Sequence, residues 1–170
     1  MLNKFNFYLI TLFIFDKYIQ KYRGTWASLF TVLFLFLLIY LIKIPLIIIT
    51  IFLLIVLLYS YYAIKNSLNN FKDSDPQEIV IDEFVGQSIP IILFEIFHGE
   101  RNYSLYEALQ IYFWFFLLFR VFDGLKPFPI DYVDKNFKNT FGILFDDILA
   151  GIYVVICLIL FMVGKTYLFA

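Results

Sequence analysis

Residues 25–64 read TWASLFTVLFLFLLIYLIKIPLIIITIFLLIVLLYSYYAI and contain a single charged side chain, Lys43. The apolar core of a bilayer is about 30 Å thick and takes roughly 20 helical residues to cross. The stretch therefore holds two crossings, 25–42 and 44–64, and Lys43 with Pro45 between them marks a tight helical hairpin. Composition extends the reading to the whole chain: 62% of its residues are hydrophobic and 22% aromatic, and the mean hydropathy is +0.84. These values lie outside the range of soluble domains. At 170 residues the chain has room for four to five membrane-embedded segments and no separate soluble domain.

The remaining apolar segments are less uniform. Residues 88–97 and 105–119 flank the polar knot HGERNYS (98–104), and their shortness predicts a tilted or re-entrant hairpin. A final crossing is expected over 148–163. The N-terminal FNFYLITLFIF (5–15) has the length of a signal-peptide core, but Asp16, Lys17 and Tyr18 follow it in place of a small-residue cleavage site. It reads as a retained interfacial helix. The expected fold is an all-α, polytopic integral membrane helical bundle over 1–170, with one N-terminal interfacial helix.

Thirteen basic and fourteen acidic residues give a net charge of -1, with no basic run suited to nucleic acid. The one cysteine, Cys157, sits in YVVICLILFMV, where a thiol behaves as a small hydrophobe. With the helices above, ten Lys and Arg residues fall on one side of the bilayer (4, 17, 21, 23, 65, 72, 120, 126, 135 and 138) and three on the other (43, 101 and 165). The positive-inside rule makes the richer side cytoplasmic.

The acids collect on that same side. In DSDPQEIVIDEFVGQ (73–87), Asp75 before Pro76, with Glu78 three residues on, predicts an N-cap, a proline in the first turn and a capping-box acid. Along the helix so begun, Ile79, Asp82 or Glu83, and Gly86 share an inward face, and Gly86 leaves room for close approach of another backbone or a ligand. In FRVFDGLKPFPI (119–130), Arg120, Asp123 and Lys126 are spaced by three, so one face carries cation, anion and cation until the prolines end the helix. In FGILFDDILAG (141–151), Asp146 and Asp147 stand at the mouth of the last apolar helix.

Taken singly, Asp146 or Asp147 is an ordinary charge at a helix N-terminus, and Arg120 a snorkelling anchor. Asp82 and Glu83 are different, because ionisable groups bordering apolar segments point to function. Five carboxylates at one boundary need a counter-charge, which a hard divalent cation held by oxygen ligands supplies. Two cations beside such a site point to a phosphate.

GTWASL (24–29), IVIDEFVGQ (79–87), FRVFDGLKPFPI and FGILFDDILAG follow the order and wording of the phosphatidylglycerophosphatase A family, which the chain resembles over about residues 23–152. The resemblance implies a bacterial cytoplasmic (inner) membrane enzyme that uses Mg²⁺ to remove the terminal phosphate of phosphatidylglycerophosphate, a lipid, yielding phosphatidylglycerol. By that resemblance Asp82, Glu83, Asp123, Asp146 and Asp147 are the catalytic and Mg²⁺-ligating acids. Arg120 and Lys126 are the phosphate-gripping cations, and Thr25 and Ser28 contribute hydroxyls to the phosphate or pack between helices. The family commonly has proline where this chain has Arg23, and paired glycines where it has Asn139 and Thr140. These departures bear on loop shape and leave every acid and both motif cations in place.

Other classes fit less well. A histidine-dependent lipid phosphatase needs a suitably placed His, and His98, the one histidine, falls on the opposite side. A CDP-alcohol phosphatidyltransferase shares only the Asp123-Gly124 start of its signature. A non-enzymatic ion-handling protein would spread polar groups through the membrane depth, whereas these cluster at one end. A lipid-binding protein without turnover remains the other alternative.

Overall fold

The computed structural model describes residues 4–12, 22–71, 76–98 and 103–169, with side chains as far as 164 in the last stretch. Seven α-helices appear among them: α1 (Lys4–Ile10), α2 (Arg23–Phe36), α3 (Leu46–Ser67), α4 (Ile81–His98), α5 (Leu105–Leu125), α6 (Ile130–Asn136) and α7 (Thr140–Phe169). No strand occurs among the described residues. This is the all-α bundle the apolar pattern predicts. Four helical stretches are long and apolar enough to cross a membrane: Arg23–Leu41, Leu46–Asn70, Leu105–Leu125 and Thr140–Gly164.

The first hairpin forms as expected. α2 loosens into a π-helical turn over Leu37–Leu41, Lys43 takes a left-handed conformation with φ 61°, and the Ile44 amide closes back onto the Leu38 carbonyl at 2.9 Å. Pro45 then opens α3, where its missing N–H leaves nothing unsatisfied. Ile47, Ile55 and Leu58 of α3 are more than half exposed, the surface of a helix whose outer face meets lipid.

Three sequence expectations are corrected. The chain does not start a helix at Pro76: residues 77–78 form a turn and α4 begins at Ile81. Tertiary partners hold this segment, since Glu78 pairs with Arg23 at 3.6 Å and the Val80 amide donates to the Ile10 carbonyl at 2.9 Å; Asp75 lies outside the described residues. The capping box belongs instead to Ser104 and Glu107 at the head of α5, where the Glu107 amide donates to Ser104 Oγ at 3.3 Å and the Ser104 amide to Glu107 Oε2 at 2.9 Å. With that start and an end at Leu125, α5 is long and apolar enough to cross a membrane rather than the short arm expected over 105–119; Arg101, in the polar knot before it, lies outside the described residues.

Second, residues 88–97 are no separate short arm but part of α4, the most enclosed helix of the bundle, which packs against α2, α3, α5 and α7. It runs unbroken through Pro90. Third, α7 begins at Thr140, so Asp146 and Asp147 sit well inside the helix rather than at its mouth. Asn139, one of the departures from the family pattern, caps it by accepting the Gly142 amide on Oδ1 at 3.1 Å.

α4 and α7 meet at two glycines. A Cβ on Gly86 would stand 2.6 Å from the Asp147 carbonyl oxygen, and one on Gly151 would strike the Gly86 carbonyl. The expected close approach at Gly86 is thus made by a helix backbone, and it brings Asp147 of α7 to the face of α4 that carries Asp82.

Candidate active site

One cavity of about 480 Å³ opens where α2, α4, α5 and α7 converge. The head of α2 contributes Arg23, Gly24 and Thr25, the first turn of α4 Asp82 and Glu83, the end of α5 Arg120, Asp123 and Lys126, and α7 Asp146 and Asp147. All five predicted acids and both predicted cations are there. Of the two hydroxyls, Thr25 lines the cavity, while Ser28 is fully buried behind it.

The acids fall into two kinds. Asp82, Glu83 and Asp147 can each offer one carboxylate oxygen so that all three lie within 4.8 Å of one another. Asp82 and Asp147 are buried, and Glu83 Oε2 is buried with no hydrogen-bond partner. Two unit charges at that separation repel by about 3 kcal/mol at an effective dielectric constant near 20. Three mutually repelling carboxylates with an orphaned oxygen among them are a donor set suited to a divalent cation with oxygen ligands.

Asp123 and Asp146 have cationic partners. Arg120 Nη1 meets Asp123 Oδ2 at 2.7 Å and also donates to Ser28 Oγ at 3.3 Å, while Ser28 donates to the Gly24 carbonyl at 2.9 Å. The Ser28 hydroxyl therefore holds the guanidinium in place from behind. Lys126 does not continue the face of α5. The helix ends at Leu125, and Lys126 takes a left-handed φ of 43° as its cap. Its ammonium swings to Asp134 of α6 at 2.9 Å and Asp146 of α7 at 3.0 Å. Partial burial alone would lower the Lys126 ammonium, but Asp146 and Asp134 hold it above the ordinary lysine range. Burial alone would raise the Asp134 carboxyl, but Lys126 and Lys138 hold it below the ordinary carboxylate range.

Sequence reasoning missed two contributors. Arg23 enters the cavity wall and pairs with Glu78, although only its departure from the family pattern was visible. Gly24 leaves the space that Glu83 Oε1 fills, and a Cβ there would also stand 3.5 Å from Arg120 Nη1. Its place at the start of GTWASL was the available signal. His98 lines no part of this cavity and stacks on Phe94 at 4.8 Å.

The model of the phosphatidylglycerophosphatase A family matches residues 8–162 of the chain. A phosphatidylglycerophosphatase A of Haemophilus influenzae is 37% identical over 133 residues, which is 78% of this chain and 74% of that protein. A putative phosphatidylinositol-3-phosphatase of Bacteroides thetaiotaomicron is 35% identical over 101 residues, 58% of either chain. The phosphatidylglycerophosphatase A of Escherichia coli is 35% identical over 78 residues, 46% of this chain and 40% of that one. No solved structure matches. The match over nearly the whole chain, with every acid and cation of the four motifs converging on one cavity, makes the chain a member of the phosphatidylglycerophosphatase A family of phosphatases.

Proposed function

We propose that the protein hydrolyses the terminal phosphomonoester of phosphatidylglycerophosphate in a Mg²⁺-dependent reaction, giving phosphatidylglycerol and phosphate. The observation that carries this reading is the grouping of Asp82, Glu83 and Asp147 within 4.8 Å, beside two basic side chains in one cavity. Those three acids would hold the Mg²⁺. Bound there, the ion supplies charge neutralisation for the phosphate oxygens and lowers the pKa of a coordinated water.

The chain's own groups do the rest. Arg120, steadied by Ser28, and Lys126 grip the phosphate oxygens and offset the charge that develops on them. Asp123 and Asp146, beside these cations, are the groups available to take the proton of the attacking water and return one to the departing glycerol oxygen. Water adds to phosphorus, the phosphorus–oxygen bond to glycerol breaks, and the lipid leaves as an alcohol. Thr25, which lines the cavity, would donate to a phosphate oxygen. The distribution of Lys and Arg supports a site on the cytoplasmic face of a bacterial inner membrane.

The test is phosphate release by the detergent-purified, full-length protein from phosphatidylglycerophosphate, first with Mg²⁺ and then with chelator. Release that stops on chelation is expected. Equal release in chelator would remove the metal from the reading, and no release from folded protein would remove the substrate. Because one relative is named for a different lipid phosphomonoester, phosphatidylinositol 3-phosphate belongs in the same assay. Faster release from it would reassign the headgroup.

A further inference from the structure

Gln87 is fully buried, and neither its amide nitrogen nor its carbonyl oxygen has a hydrogen-bond partner. Glu83 Oε2 is the third such atom, and these are the buried side-chain atoms left unpartnered among the described residues. All three belong to side chains four residues apart on α4, a spacing that places them side by side on a helix surface and within reach of each other. An unpaired buried polar group costs about 1–3 kcal/mol. A site that asked only for packing would hold leucine or methionine. Farther along the same helix, Glu95 shows how the fold treats a polar group that is only structural: two tyrosine hydroxyls donate to it.

We infer that Gln87 is a positioning residue for the acidic site. When Asp82, Glu83 and Asp147 gather around a divalent cation, the Gln87 amide donates from Nε2 to Glu83 Oε2 and holds that carboxylate in the orientation the ion requires. A single bond then satisfies two of the three orphaned atoms. Without the ion, Glu83 Oε2 has no hydrogen-bond partner, and gathering the three acids around the cation is what turns that oxygen to Gln87. Gln87 touches neither lipid nor phosphate, and it acts through Glu83. This inference rests on the metal-dependent reading above.

The test uses Mn²⁺ alone as the probe, titrated by electron paramagnetic resonance into the detergent-purified, full-length protein and into Gln87→Met, which keeps the volume and removes the amide. Outer-shell partners of metal ligands are typically worth 10–100-fold in affinity, so Mn²⁺ should bind Gln87→Met about tenfold more weakly. In chelator the variant should melt at the same temperature as the parent or higher, because an orphaned group has been removed. Unchanged Mn²⁺ affinity would overturn the inference. So would a variant that melts lower in chelator or fails to fold, since Gln87 would then have a partner in the ion-free protein. If the parent itself binds no Mn²⁺, the metal-dependent reading fails, a result distinct from a parent that binds and a variant that binds equally well.

Discussion

The two ends of α4 both bury carboxylates and treat them in opposite ways. Toward His98, Glu95 Oε1 accepts the Tyr40 hydroxyl at 3.0 Å and the Tyr112 hydroxyl at 2.9 Å, and the two rings pack edge to face. Near Ile81, Asp82 and Glu83 face Asp147 with an unpartnered oxygen between them. An acid that serves the fold is surrounded by donors the chain provides. The acids proposed to serve the reaction are left with capacity for a partner that arrives from outside.

The sharpest way to break this contrast is to neutralise one acid at each end. Asp82→Asn or Asp147→Asn should lower phosphate release by more than about a hundredfold, as loss of a metal ligand would. Melting in chelator should rise, because like charges have been relieved. Glu95→Ala should do the reverse: activity per folded molecule stays within a few-fold, while stability falls by roughly 1–3 kcal/mol for each tyrosine hydroxyl left unpaired. Assays of phosphate release beside denaturation of the same preparations decide it. An inactive but stable Glu95→Ala would erase the distinction.

The two glycines at the acidic end sharpen it further. Alanine at Gly86 meets the backbone of Asp147, which cannot turn aside, so Gly86→Ala should cost both stability and activity. At Gly24 the new methyl strikes the tip of the Glu83 side chain and merely touches Arg120 Nη1, so Gly24→Ala should displace that carboxylate and reduce activity with little change in melting. Equal melting losses in both would show that α2 is as tightly keyed to α4 as α7 is.

The smallest effect lies at the rim. Asp134 is held below its ordinary range by Lys126 and Lys138, so its contribution is present above the unfolded carboxylate pKa of about 3.9 and disappears as pH falls through the lower folded value. Asp134→Asn should therefore melt slightly lower than the parent at pH 7, by a few tenths of a kcal/mol for a partly exposed pair, and equal it at the acid end of the titration. A difference that persists there would assign the effect to packing of α6.

Much of this was legible in the sequence. The α2–α3 hairpin is written in an unbroken apolar run with Lys43 and Pro45 at its turn, and the acids are conspicuous because little else near them is charged. Less legible was the place of α4. A helix enclosed on every side has no polar face to betray its orientation, and its polar start, rich in turn-forming residues, hid a boundary fixed by Arg23 and Ile10 from distant segments. Sequence reasoning read a capping box at Asp75 and Glu78 and overlooked the one that forms at Ser104 and Glu107. Lys126 was placed by spacing on a helix that ends one residue before it. Gln87 looked like any polar residue near a membrane boundary, since sequence does not show whether a side chain has found a partner.

A helix with Asp82 and Glu83 in its first turn and Glu95 in its last is poorly suited to lipid unaided, since ionisable groups in membrane segments are costly unless they face the bundle interior. During synthesis α4 emerges before α5 and α7, so neither Tyr112 nor the glycine seam with α7 is yet there to receive it. Its full enclosure waits for the C-terminal half. A chain halted after α4 would have α2, α3 and Tyr40 to shelter that helix, yet would lack Tyr112 and the glycine seam with α7, so the acidic end closes only once the last helix is made.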